Sequence, residues 1–431
     1  MESPGLCGHY LQQQEATMMN PLYDIKFTEA HLAWREKANE IAVQYLLPQA
    51  MQHDKDSTFN EEAFQAAADA GMLGTWIPKE YGGTGDGIMA LALMVEEFSK
   101  ADPAFGVAFA VNALGSLPII VGGTHEQKAK YLPLVAQGKA ACAFALSEKF
   151  AGSDAGGLSV TATKDVDTWT INGEKKWTTN GSRANIITCF AVTDPESRSR
   201  RISAFIVEDT DPGFSIKKVE DKMGIRSVPV CETVFDGVKV NDDRLIGGKP
   251  GFGFKHSMMT LDLARPGVAA QAVGTAAGAL ELATTYACRR KQFGQAISGF
   301  QMIQGMLADM AQKTEAARWV VYATAAHADA GSKGVTKIAA MAKCFASDVA
   351  VEVATDAVQI FGGYGFMEDY PIAKFYRDAK ILQIYEGTNQ VQRMVIARNL
   401  IKESSRHDYL NSVIPGETQE SFSEEPVTAN T

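Results

Sequence analysis

Residues Trp169-Thr-Ile-Asn-Gly-Glu-Lys-Lys-Trp177 alternate apolar and polar side chains around an Asn172-Gly173 pair. Alternation with period two marks a half-buried strand. Asn-Gly is a strong tight-turn dipeptide, so the stretch reads as two strands joined at Asn172-Gly173. Its neighbours read the same way. Val160-Thr-Ala-Thr-Lys precedes it. Ile186-Ile-Thr-Cys-Phe-Ala-Val, Ser203-Ala-Phe-Ile-Val and Glu232-Thr-Val-Phe-Asp-Gly-Val-Lys-Val follow, the last with a turn signal at Asp236-Gly237. No helical pattern separates these strands, which predicts an antiparallel barrel or sandwich rather than a Rossmann unit.

On both sides the period changes to that of a helix. Upstream, Leu32, Ala33, Ala38, Ile41, Ala42, Leu46 and Leu47 recur at helical spacing, with Thr28 placed as an N-cap and Pro48 as a break. Ile88–Ser99 is a second helix, stopping before Asp102-Pro103. Downstream, Phe254–Arg290 is alanine-rich, Gln301–Ala330 and Lys337–Gln359 are amphipathic, and a last helix covers Asn389–Lys402. The order all-α, all-β, all-α predicts an α+β multidomain chain. Its parts are a flexible leader (1–22), an N-terminal helical lobe (23–140), a central antiparallel β domain (141–250), a C-terminal four-helix bundle (251–403) and a polar tail (404–431).

Composition excludes several classes of function. The chain has 431 residues, 41 Lys and Arg against 51 Asp and Glu, and a net charge of −10. An acidic surface argues against non-specific nucleic-acid binding. No uninterrupted apolar run reaches about 18 residues, so no membrane span is expected. The six cysteines are widely spaced and the seven histidines scattered, with neither a disulfide framework nor a metal-ligand spacing. Met1–Asn20 lacks the basic region and apolar core of a secretory signal and the Arg-rich character of a transit peptide. A reducing bacterial cytoplasm is the expected setting, with the mitochondrial matrix as the alternative. GxGxxG, Walker and GxSxG motifs are absent, which argues against a Rossmann nicotinamide site and a serine hydrolase.

One segment carries candidate chemistry. Tyr385-Glu-Gly-Thr-Asn-Gln390 lies between two helical stretches. A carboxylate at a helix start sits beside outward-pointing backbone N–H groups. In an apolar site Glu386 would have a raised pKa and act as a base. The alternative is a solvated loop glutamate, with Thr388 or Asn389 as N-cap.

Over about residues 27–403 the sequence resembles the acyl-CoA dehydrogenase family of flavoenzymes, nearest its short- and medium-chain members. Six separated motifs match in order: Leu146-Ser-Glu-Lys-Phe-Ala-Gly-Ser-Asp154, Asn172-Gly-Glu-Lys-Lys-Trp-Thr-Thr-Asn-Gly181, Asp262-Leu-Ala-Arg265-Pro, Arg290-Lys-Gln-Phe-Gly294, Gln359-Ile-Phe-Gly-Gly363 and Tyr385-Glu-Gly-Thr-Asn-Gln390. The resemblance implies FAD bound without a Rossmann fold. It implies that Phe144 to Ser153, including Leu146 and Ser147, and Trp177, Thr178 and Thr179 cradle the isoalloxazine. It places Arg290, Gln292 and Phe293, with Gln359, Gly362 and Gly363, on the FAD of a neighbouring subunit of a homotetramer, and Thr388 and Gln390 in the cofactor set. Asp262, Arg265, Gly387 and Ser153 fall near the acyl-CoA. Read without the family, Trp177 is a core residue and Arg290 a solvated member of Arg289-Arg290-Lys291.

The implied reaction is α,β-dehydrogenation of an acyl-CoA thioester, with Glu386 removing the α-proton and electrons passing to electron-transfer flavoprotein. Other members carry the base just before the arginine of Asp-x-x-Arg; here that position is Ala264, which leaves Glu386. The sequence departs from the family at Lys149 and Phe150 in the flavin loop and at Ser227-Val-Pro-Val-Cys-Glu232. Phe105–Ala113, the expected floor of the acyl pocket, has no charge and suits an apolar acyl group. An acyl-CoA oxidase is disfavoured by length. An enoyl-CoA reductase running the reverse reaction and a non-catalytic flavin-binding scaffold remain as alternatives.

Overall fold

The computed structural model describes residues 25–332 and 334–404; the leader and tail readings lie outside the described residues. The N-terminal lobe holds α1 (Glu29–Ile41), α2 (Ala50–Asp56), α3 (Glu61–Asp69), α4 (Gly87–Ala101), α5 (Pro103–Gly122) and α6 (His125–Ala136). Thr28 caps α1 in a reciprocal capping box with His31. The chain then passes through a widened turn at Ala42–Leu46 before Pro48. Asp102 caps α5, and Pro103 fills the first helical position, where a missing N–H costs nothing. By length and composition α5 is apolar enough to cross a membrane. It is 78% buried, because it is a core helix of this lobe.

A seven-stranded sheet follows: β1 (Cys142–Ala145), β2 (Thr161–Asp165), β3 (Thr168–Thr179), β4 (Ile186–Val192), β5 (Ile202–Glu208), β6 (Phe214–Val219) and β7 (Val230–Asn241). The order is β1-β4-β2-β3-β7-β6, with β5 beside β4. The sheet is mixed rather than wholly antiparallel. β1 enters from α6 instead of a hairpin and runs parallel to β4. Neither expected turn exists. Asn172-Gly173 lies inside β3 and Asp236-Gly237 inside β7. The two glycines take positive φ, +134° and +67°, and absorb irregularities in the ladder instead of reversing the chain. The reversal into β3 occurs at Val166-Asp167, with Val166 at φ +54°.

The C-terminal part holds α7 (Gly253–Arg289), a small hairpin of β8 (Lys291–Gln292) and β9 (Gln295–Ala296), α8 (Gln301–Asp329), α9 (Val335–Phe361), α10 (Pro371–Leu382) and α11 (Asn389–Ser404). α7, α8, α9 and α11 form the helical bundle. The sequence reading missed α10. α7 is the spine: Ala269, Ala270, Ala272, Ala276 and Ala279 are fully buried, so the helices around it approach closely. A buried ion cluster joins the layers. Lys374 on α10 donates to Asp102 at 2.5 Å and Asp378 at 2.6 Å, and Asp378 accepts from the Ile225 N–H. The cluster fixes α10 against α5 and the loop before β7, and α10 leads directly into the Glu386 segment.

Candidate functional site

Glu386 sits on the short connection between α10 and α11 in a left-handed conformation, φ +51°, followed by Gly387 at φ +93°. A non-glycine residue held there costs about 1–3 kcal/mol unless its surroundings determine it, and several contacts do. Gln392 on α11 donates its amide to the carbonyls of Glu386 at 3.1 Å and Gly387 at 3.0 Å. Lys343 on α9 donates to the Gly387 carbonyl at 2.8 Å and to the Asn389 side chain at 2.9 Å. The Tyr385 hydroxyl donates to Gln271 on α7, whose amide in turn donates to the Pro103 carbonyl at the start of α5. Thr388 caps α11 by accepting from the Val391 N–H.

The Glu386 carboxyl is poised for proton transfer. Its Oε2 is buried and has no hydrogen-bond partner. Burial pushes its pKa up to about 7, against the opposing pull of Arg265 and Lys343. Arg265 on α7 is 4% exposed; its Nη1 holds Asp262 at 2.8 Å while its Nε is buried and unpartnered. Burial lowers the Arg265 pKa, offset by Asp262 and Glu386, and raises that of Asp262, offset by Thr336 and Arg265. The tertiary structure thus gathers Glu386, Gly387, Asp262 and Arg265. Beside them, Ala104, Val107, Ala108 and Val111 of α5 form an apolar cluster with Val228, against which Phe59 and Tyr385 pack.

A second group of expected residues lies on the sheet. Lys175 is fully buried and donates to Glu148 at 2.7 Å and to the Leu146 carbonyl at 2.9 Å. The Lys176 N–H donates to the Ser147 carbonyl. These bonds fasten the loop after β1 to β3. At the bulge between Lys175 and Thr178, Trp177 takes φ +58° and is 54% exposed, so it is not a core residue. Phe144 and Ser147 are half-buried, Leu146 buried and Ser153 exposed. Thr179 is half-buried, whereas Thr178 is buried with its hydroxyl beside Thr233 on β7. Lys149 and Phe150 form the tip of a tight turn closed by Glu148 and Ala151, and Phe150 is 90% exposed.

The third group lies elsewhere. Arg290 ends α7, 25 residues beyond Arg265, and at 1.5 Å per residue this is roughly 37 Å along the helix. Its guanidinium stands over Tyr364 at 5.3 Å, beside Gly362 and Gly363. Gln292, Phe293, Gln359, Gly362 and Gly363 are exposed there, and Gln390 is exposed on α11. Sequence reasoning missed Gln271, Lys343 and Gln392. The one available signal was Lys343 itself, a charge inside Ala339-Ala-Met-Ala-Lys-Cys-Phe-Ala346.

The residues of this second group fit a flavin. An exposed indole held at a strained bulge offers a flat apolar face, and the Ser147 and Thr179 hydroxyls flank it as hydrogen-bonding groups.

Comparison with known proteins gives three consecutive family matches: acyl-CoA dehydrogenase N-terminal domain over 28–139, middle domain over 143–238 and C-terminal domain over 251–401. A probable acyl-CoA dehydrogenase, fadE25 of Mycobacterium leprae, is 47% identical over 89% of this chain and 98% of its own length. An acryloyl-CoA reductase (NADH) of Anaerotignum propionicum is 43% identical over 88% of this chain and 96% of its own. Butyryl-CoA dehydrogenase from Megasphaera elsdenii superposes with a TM-score of 0.85 at 42% identity, covering 88% of this chain and all of that one. A chain from a structure of the electron transferring flavoprotein of Acidaminococcus fermentans superposes with a TM-score of 0.85 at 46% identity, covering 88% of this chain and 99% of that one. An acyl-CoA dehydrogenase complexed with FAD, from Bacillus anthracis, gives 0.82 at 33% identity, covering 89% and 68%.

Proposed function

The chain belongs to the acyl-CoA dehydrogenase family, and from that premise we propose that Glu386 is the base of an α,β-dehydrogenation of an acyl-CoA thioester. The observation that carries this assignment is the buried, unpartnered Oε2 of a carboxyl whose pKa lies at about 7. A base with that affinity is about half ionised at neutral pH and still accepts a proton from a weak carbon acid.

Glu386 takes the α-proton onto its carboxylate. Its backbone N–H donates to the thioester carbonyl, and an oxyanion donor of this kind is worth about 3–4 kcal/mol as negative charge develops there. The Arg265 guanidinium, held by Asp262, keeps positive charge beside the site. The uncharged α5 cluster receives an apolar acyl chain and excludes water, while Ser153 on its exposed loop meets the CoA arm. FAD, when bound, supplies the hydride acceptor. Trp177, Phe144, Leu146, Ser147, Thr178 and Thr179 would hold its ring system. Arg290, Gln292, Phe293, Gln359, Gly362 and Gly363 serve a neighbouring subunit, because the length of α7 separates Arg290 from the Arg265 site of its own chain. Phe293 at 93% and Phe366 at 82% exposure offer apolar area for a second copy to cover, which supports the homotetramer of this reading. Electron-transfer flavoprotein takes the electrons, and the bacterial cytoplasm is the setting.

The acryloyl-CoA reductase relative favours one other reading, the same chemistry run towards the saturated acyl-CoA. An anaerobic absorbance titration of the purified yellow protein with butyryl-, octanoyl-, glutaryl- and cyclohexanecarbonyl-CoA tests the assignment. Bleaching by an apolar acyl-CoA supports it. No bleaching by any acyl-CoA, with return of the yellow colour when an enoyl-CoA is added to pre-reduced protein, supports the reductase. Colourless protein that takes up no FAD overturns both.

A further inference from the structure

Lys343 is fully buried on α9 among Ala339, Ala340, Ala342 and Ala346, which are also buried. Among the described residues no carboxylate lies within ion-pair distance of it. A buried ammonium without a contacting counter-ion is costly to keep. A hydrophobic side chain of similar volume would fill the space at no such cost, so packing does not account for the lysine. Its two hydrogen bonds do: both go to the segment that carries Glu386, one to the Gly387 carbonyl at 2.8 Å and one to Asn389 at 2.9 Å. Asn389 is itself locked by Cys344, Ser347 and Asp348 of the same helix.

We propose that Lys343 is a positioning residue for the base, its ammonium clamping the flank of the left-handed Glu386 turn while holding positive charge beside the carboxyl. The inference rests on Glu386 being the base. Gln392 restrains the same carbonyls from α11 but is neutral, so Lys343 is the charged member of the clamp. The groups facing Glu386 are Arg265 from α7 and Lys343 from α9. Those facing Lys343 are Glu386, Cys344, Arg265 and Asp348. The Arg265 charge is shared with Asp262 at 2.8 Å, whereas Lys343 has no carboxylate in contact and Glu386 is the first of the charges that act on it.

The test uses the purified, flavin-loaded enzyme and the rate of flavin reduction by butyryl-CoA, followed across the neutral pH range. Lys343→Gln keeps a donor but removes the charge. Its pH midpoint is expected to rise by about one unit or more, with the high-pH plateau within a few-fold of the parent. Lys343→Met removes both and is expected to shift the midpoint and lower the plateau at least ~10-fold, because the carboxyl loses its fixed position. Unchanged midpoint and plateau in the folded variants overturn the inference. If Lys343→Met does not fold, the Lys343→Gln midpoint decides alone. Glu386→Gln is run alongside. Parent-like reduction in that variant removes the base assignment and this inference together, whereas an inactive Glu386→Gln beside unshifted Lys343 profiles removes only the role of Lys343.

Discussion

Lys175 and Glu148 form an ion pair of 2.7 Å with both side chains buried, and it ties the loop after β1 to the strand that presents Trp177. Glu148 also accepts from the backbone N–H groups of Ser159 and Val160, so the pair anchors both ends of the 146–160 segment. Removing one partner leaves an uncompensated buried charge, at a cost of about 3–5 kcal/mol. Lys175→Met should therefore lower the melting temperature and also loosen flavin retention, read by thermal unfolding and by the visible-to-ultraviolet absorbance ratio. A variant with parent-like melting and full flavin would show that the pair is dispensable.

Glu386→Gln should keep FAD, since the side chain lies on the α10–α11 connection and not on the Trp177 bulge. Turnover should fall at least ~10³-fold, the scale of a lost general base. Stopped-flow reduction by acyl-CoA measures it directly, and a loss below tenfold would transfer the role to another group.

The same carboxyl makes stability depend on pH. Its folded pKa, about 7, lies above the ordinary 4.5 because burial disfavours the anion. The stability it contributes is present below pH 4.5 and lost as pH rises through about 7. Glu386→Gln should accordingly melt higher than the parent at pH 8, by a few degrees on the usual scale. Near pH 4.5 the two should coincide. Parallel melting curves over that range would mean that the carboxyl is solvated.

Arg290→Ala tests the intersubunit contact. Lost flavin together with reduced mass in light scattering is the expected result, because the guanidinium stands at an exposed face with Gly362 and Gly363. Full flavin at an unchanged mass would assign Arg290 to stacking on Tyr364 and nothing more.

Gln271 bridges α5 and the base segment through Pro103 and Tyr385. Gln271→Leu strands the Pro103 carbonyl and the Tyr385 hydroxyl, at about 1–3 kcal/mol for each buried group left unmade. Stability should fall and flavin reduction should slow, with flavin content preserved.

The α–β–α order was legible from period alone, because helix and strand patterns depend on local spacing. The base segment was legible as a carboxylate at a helix start, and the six motifs carried the family. Asn172-Gly173 and Asp236-Gly237 misled for a physical reason. Their freedom at positive φ serves either a turn or a bulge, and the Gly237 N–H donating to the Asn172 side chain at 2.9 Å selects the bulge. β1, β6 and α10 were invisible. β1 is four residues long and β6 has a largely exposed pattern, while the buried face of α10 (Ile372, Phe375, Ala379, Leu382) also carries Lys374 and Asp378, whose charges interrupt the apolar pattern.

The sequence by itself determined the α–β–α order of the chain, the placement of Glu386 before a helix, and an alanine at position 264. Those properties reside in neighbouring residues. Only the tertiary structure decided that Trp177 is exposed, that Arg290 stands far along α7 from Arg265, and that the Oε2 of Glu386 is buried with Arg265 and Lys343 facing it. Proton affinity and exposure depend on what α7, α9 and the sheet bring to a residue across tens to hundreds of positions, and no local pattern encodes that distance.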